Sequence, residues 1–113
     1  MPVLFNHITI IGAGLIGSSL ARAIKQLGLA RTVAIGDTNS AHCAAALRLG
    51  FADIATVDLA ESVEGADLVV LATPLMTFSI IMQAIAPHLP KDCIVTDVGS
   101  VKQQAIADIA PYV

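Results

Sequence analysis

Basic side chains are few in this chain. Six lysines and arginines lie scattered among nine acidic residues, leaving a net charge of −3 over 113 residues. A phosphate backbone needs a clustered positive face, so the sequence argues against nucleic acid as a partner. Charge of either sign is sparse, at 13% of residues. Yet no apolar run nears the roughly 18 residues of a membrane-spanning helix, and no membrane partner is expected. The opening Met1–Phe5 carries no basic residue and is soon broken by Asn6 and His7, which reads against a secretory signal. Cysteine is limited to Cys43 and Cys93, which form no CxxC pair and lack neighbours at metal-ligand spacing. Both are expected to be buried, reduced thiols, no metal is expected, and the setting is read as cytoplasmic.

What the chain has in quantity is apolar residues, 56% of the total, with a mean hydropathy of +0.80. Parallel strands buried on both faces read as unbroken Val/Ile/Leu runs, and the helical stretches here are rich in alanine. An apolar face that normally meets another domain is a further source of the excess. The length fits one domain spanning residues 1–113, small for a complete two-substrate enzyme.

Short β-branched runs alternate with helical periodicity along the chain. Strands are expected at Ile8–Ile11, Thr32–Ile35, weakly within Phe51–Thr56, at Leu68–Ala72 and at Ile94–Thr96. Between them, apolar residues at helical spacing mark Leu15–Leu27, stopped by Gly28, and a helix capped by Asn39 or Ser40 that runs to Leu49. A short helical turn is expected at Leu59–Val63, a helix at Thr77–Ile85 ahead of Pro87, and another at Val101–Ala110. Such alternation predicts parallel βαβ units: an α/β, Rossmann-type doubly wound sheet in three layers, strand order 3-2-1-4-5. A ligand is expected at the carboxyl ends of the strands.

The first strand runs straight into GAGLIG, Gly12–Gly17, which opens the first helix. In that context each glycine has a task. Gly12 permits the tight turn, Gly14 lets the backbone approach a pyrophosphate, and Gly17 lets helix and strand pack closely. The amides of Ala13, Leu15 and Ile16 complete the cradle, because a helix N-terminus offers unpaired N–H groups and a positive dipole end. Ser18 and Ser19 are further candidate donors. Asp37, about 20 residues beyond Gly17, stands where a ribose-binding carboxylate is expected. It would repel the extra phosphate of NADP, and no Arg follows it, so the cofactor is read as NAD in preference to NADP. A solvated turn aspartate or helix cap is the bland alternative.

Thr73 and Pro74 follow the fourth strand and either line the cofactor crevice or merely stop the strand. In TDVGSVK, Thr96–Lys102, Gly99 allows close backbone approach and Ser100 offers a hydroxyl at the nicotinamide end. Asp97 is read more simply as a helix cap, and Lys102 as solvated. His7 is placed before the first strand, His42 in the second helix and His88 in a loop. All three are read as surface or packing residues, which leaves no catalytic base in the chain.

Three segments in order, Gly12–Leu20, Ala72–Leu75 and Val95–Lys102, resemble the N-terminal domain of prephenate/arogenate (cyclohexadienyl) dehydrogenases. TDVGSVK is the specific element; the glycine turn is shared with 3-hydroxyacid dehydrogenases and pyrroline-carboxylate reductases. The resemblance implies NAD(P)-dependent oxidative decarboxylation of prephenate or arogenate in tyrosine biosynthesis, with Ser100 as the catalytic residue near the ring hydroxyl. It implies a histidine base in a His-Pro motif just past Val113, and a helical C-terminal domain that binds the small-molecule substrate and makes a homodimer. On that basis this chain by itself is expected to bind cofactor without turnover. Two alternatives stand beside it: another NAD-dependent dehydrogenase of hydroxyacid or imine-reductase type, and a non-catalytic nucleotide-sensing module.

Overall fold

The structure, a computed structural model, describes residues 3–98. The helix expected at Val101–Ala110 lies outside them. Five strands form one parallel sheet: β1 (Phe5–Ile11), β2 (Ala30–Gly36), β3 (Ile54–Thr56), β4 (Leu68–Leu71) and β5 (Ile94–Asp97). Their order is β3-β2-β1-β4-β5, the doubly wound arrangement expected from the alternation. Helices α1 (Leu15–Leu27), α2 (Ser40–Arg48), α3 (Leu59–Ser62) and α4 (Phe78–Ile85) fill the crossovers.

Side-chain alternation on β1 sorts the core into two halves. Ile8 and Ile10 join Val33, Ile35 and Val70 beneath Ala21 and Ile24 of α1 and Ala46 of α2. Ile11 joins Val69 and Leu71 on the opposite face, under Val63 and under Ile81 and Ile85 of α4. Both faces of the central strands are therefore dry, which accounts for their β-branched runs. The apolar composition is explained by this burial and by apolar side chains left exposed, Leu15, Leu75, Met76 and Ile80 among them. Among the described residues no helix is long and apolar enough to cross a membrane.

Several boundaries depart from the expected ones for identifiable reasons. β1 begins at Phe5 because Phe5 pairs with Ala30 and the amides of Leu4 and Phe5 both donate to Leu29 O. His7 is thus inside the strand, not ahead of it. β3 is only three residues long. Asp53 meets β2 through its own amide on Val33 O at 2.8 Å, while its carboxylate takes the Val33 amide at 2.8 Å and the Lys25 ammonium at 2.6 Å, and the regular ladder begins at Ile54. Phe51 packs into the core instead of into a strand, with the Arg22 guanidinium 5.0 Å above its ring. A 3₁₀ turn over Leu75–Thr77 leads into α4, and a second over Ala86–His88 accommodates Pro87. Cys43 is buried as expected, but Cys93 is only partly so. Burial pushes both thiols above their ordinary pKa, which keeps them protonated.

A polar chain threads the second core. Thr9, fully buried, gives its hydroxyl proton to Ser62 O at 2.6 Å, so the His7 imidazole at 3.0 Å donates to Thr9 from Nε2. Burial lowers the His7 pKa, outweighing the opposing pulls of the Ser62 carbonyl and the Asp67 carboxylate. The neutral ring is the folded form. A base with a depressed folded pKa stabilises the fold above its unfolded value, near 6.5, and that stability is lost as pH falls towards the folded pKa. The urea midpoint should therefore drop between about pH 7.5 and 5. His7→Gln should show a shallower drop, and equal slopes for the two proteins would refute the assignment.

Candidate functional site

The carboxyl ends of β1, β2 and β4 converge on the glycine turn. Gly12 donates to Gly36 O at 2.8 Å, and Ala72 donates to Ile11 O at 2.8 Å, which locks the turn between its neighbours. Gly12 has φ of +105°, where a side chain is strained, and an added Cβ would press on the Thr73 methyl at 2.9 Å. At Gly17 a Cβ would stand 1.9 Å from Gly12 O. Glycine alone lets α1 come this close.

Gly14 differs. An added Cβ there meets nothing within 4 Å, so the space in front of α1 is open. Gly14 is also the N-cap of α1; it has no side chain to cap the first turn, and that turn carries no acidic residue. The amides of Leu15, Ile16 and Gly17 thus begin the helix without a side-chain acceptor, which is the donor set of an anion site. Ser18 and Ser19 do not extend it as expected. Their hydroxyls bond back to Ala13 O at 2.9 Å and Leu15 O at 2.8 Å, the local competition typical of early-helix serines.

Asp37 lies beside this turn. Its Oδ2 accepts from the Ala13 amide at 2.7 Å, and its Oδ1 accepts from the Asn39 amide at 2.8 Å. His42 Nδ1 approaches Oδ2 at 2.9 Å, and the aspartate side chain is only 13% exposed. Burial raises the carboxyl pKa, but the amides of Ala13 and Asn39 and the His42 imidazole outweigh it, leaving Asp37 below its ordinary value. The group is ionised and held. It is neither solvated nor the cap of α2: Asn39 caps that helix, accepting from Ala41 and His42 amides. The His42 contact escaped sequence reading. Its signal is positional, because His42 is the third residue of a helix capped by Asn39, the position whose side chain reaches back across the N-terminus.

Thr73 and Pro74 follow the end of β4 and border two hollows. The larger, about 550 Å³, is lined by Ile16, Ala72, Phe78 and Asp97 as well as this pair. The smaller, about 240 Å³, lies against Gly12, Asp37, Thr38 and Leu59. The Thr77 hydroxyl bonds Pro74 O at 2.6 Å and Thr73 Oγ1 at 2.8 Å, fixing the pair. Asp97 closes β5 opposite Leu71. Gly99, Ser100 and Lys102 lie outside the described residues.

With the turn, the carboxylate and the two hollows in view, comparison with known proteins is informative. The family model described as prephenate dehydrogenase, nucleotide-binding domain, matches residues 20–113. The chain belongs to the prephenate dehydrogenase family. The matched region starts after the glycine turn, so membership does not rest on a motif many dehydrogenases share. A cyclohexadienyl dehydrogenase of Zymomonas mobilis is 44% identical over 102 residues, 90% of this chain and 35% of the relative. Among solved structures, the Aquifex aeolicus prephenate dehydrogenase in complex with hydroxyphenyl propionate and NAD+ superposes with a TM-score of 0.75. It is 28% identical over 81% of this chain and 32% of that one. The Synechocystis arogenate dehydrogenase gives 0.76, at 30% identity over 81% and 32%. This prephenate dehydrogenase family member therefore spans about a third of the length of the relatives it matches.

Proposed function

We propose that the chain is the single NAD-binding domain of a prephenate or arogenate dehydrogenase. The observation that carries this reading is the uncapped first turn of α1 facing open space at Gly14, with the ionised Asp37 tied to the same turn. Pyrophosphate oxygens would accept from the amides of Leu15, Ile16 and Gly17, while the Ala13 amide, expected from sequence to join them, is taken by Asp37. Asp37 has lone pairs left after three bonds and would take the adenosine ribose hydroxyls. The hollow beside Asp37 suits the adenosine half, and the hollow lined by Ile16, Thr73, Pro74 and Asp97 suits the nicotinamide half. Bound there, the nicotinamide supplies a hydride acceptor for oxidative decarboxylation. Gly99 would let the backbone pass close to it, and Ser100 would hold the substrate's ring hydroxyl.

The base and the substrate-binding helices belong, on this reading, to a longer protein acting as a cytoplasmic homodimer on a small carboxylate substrate. The 113-residue chain would bind cofactor without turning over. Relatives named for prephenate, arogenate and cyclohexadienyl substrates support the reaction class. Gly14→Ala is the cleanest test. With φ of −71° and open space around the new methyl, its melting temperature should stay within about 3 °C of the parent. NAD affinity by calorimetry should fall at least about thirtyfold, because the methyl occupies the approach of the phosphates. Unchanged affinity would place the dinucleotide elsewhere.

A further inference from the structure

The residue in contact with Asp37 that the dinucleotide reading does not use is His42. Its Nδ1 lies 2.9 Å from Asp37 Oδ2, and its side chain is 46% exposed. An ionised carboxylate only accepts, so Nδ1 carries a proton whichever state the ring is in. In the neutral ring Nε2 is then a bare lone pair. In the charged ring it becomes a second donor. One proton therefore changes both the charge beside Asp37 and the polarity of the ring's outer nitrogen, and histidine is the side chain that makes this change in the physiological range.

We propose that His42 makes the choice between NAD and NADP depend on pH, protonation raising the site's acceptance of a 2′-phosphate. The inference rests on the dinucleotide reading above. With a neutral ring the rim of the site holds one uncompensated negative charge, Asp37, and repels a phosphate that carries nearly two. A charged imidazolium in contact with Asp37 cancels that charge and offers the phosphate a donor. NAD, which has only hydroxyls at this position, feels little of either.

The groups beside His42 keep fixed charge states. Asp37 is held ionised by its amides, and Cys43, whose thiol donates to Asp37 O at 3.3 Å, is pushed up by burial and stays neutral. Of the strands packed against α2, β3 carries no charged residue. β2 carries only Arg31, five residues before Gly36 and so about 17 Å away at strand rise. On α2 itself the other charge is Arg48, in its last turn. The first turn of α1 carries no acidic residue.

The test is calorimetric binding of NAD and of NADP to the parent chain, to His42→Gln and to His42→Arg, at intervals from about pH 8 to 5.5. The 2′-phosphate itself gains a proton in this range, so the readout is the difference between proteins. The ratio of NADP to NAD dissociation constants should fall about tenfold more in the parent than in His42→Gln. His42→Arg, charged throughout, should show a ratio about tenfold below that of His42→Gln already at pH 8. Parallel curves for parent and His42→Gln would overturn the proposal while leaving NAD binding intact. If the parent binds neither dinucleotide at any pH, the dinucleotide reading falls and takes this inference with it.

Discussion

Gly17→Ala should lower the melting temperature by more than 10 °C, on the order of 10–20 °C, and abolish measurable NAD binding. The added methyl would lie 1.9 Å from the Gly12 carbonyl oxygen, with the Ala72 methyl at 3.4 Å on its other side. No rotamer relieves an overlap between a Cβ and a main-chain oxygen. Overpacking a core typically costs about 1–3 kcal/mol when side chains can adjust. Here the adjustment must come from α1 or from the turn, so about 3 kcal/mol or more is expected. At roughly 4–8 °C per kcal/mol for a domain near this size, the stated drop follows. Cofactor binding goes with it, because moving the Gly12 carbonyl distorts the turn that presents the amides. A melt within about 2 °C of the parent would mean that helix and turn are not in contact as described. The pairing with Gly14→Ala is diagnostic: two glycines three residues apart should separate, one governing stability and the other binding.

The second large effect concerns Asp37. Asp37→Ser removes the charged acceptor, and hydrogen bonds to charged groups are worth about 1.5–3 kcal/mol. NAD affinity should therefore fall about tenfold to a hundredfold, and NADP, relieved of repulsion, should bind as well as NAD or better. The substitution also strips an acceptor from the amides of Ala13 and Asn39, so some thermal stability is lost. Asp37→Asn removes the charge and keeps one acceptor oxygen, its NH2 group then facing either the Asn39 amide or the Ala13 amide and His42 ring. It should lose less NAD affinity than Asp37→Ser while still gaining NADP. Acid should imitate the same loss. A carboxyl with a depressed folded pKa stabilises the fold above its unfolded value, 3.8. That contribution disappears as pH falls below this value through the folded one. Equal affinity of the parent chain for NAD and NADP near neutral pH would remove Asp37 from cofactor choice.

Much of this architecture was legible because burial writes itself into composition. Ile8–Ile11 and Leu68–Leu71 are covered on both faces, and such strands leave unbroken apolar runs. The strand order followed from alternation alone. Phe5, Asn6 and His7 were missed because the amino-terminal half of β1 lies at the sheet's rim, where polar and apolar residues mix. The start of β3 was blurred by Asp53, a charged residue whose main chain and side chain both bond Val33. In the site, Asp37 was legible from its spacing to Gly17, but its anchoring to Ala13 was not, since spacing says nothing of which donors a carboxylate meets. Ser18 and Ser19 misled for a related reason. A hydroxyl early in a helix looks available from sequence, yet these two donate to carbonyls four and five residues back. Gly99 and Ser100 lie outside the described residues.

Because both serine hydroxyls turn inward, the donors that the start of α1 offers to an anion are peptide groups alone. Main-chain amides are identical whatever side chain hangs beside them, so positions 15 and 16 can drift through evolution without altering that contact. Leu15, 85% exposed, is thus free to be chosen by whatever else touches this rim, and Ile16 by the larger hollow it lines. Diversity should gather there among descendants of the domain, while the three glycines stay put.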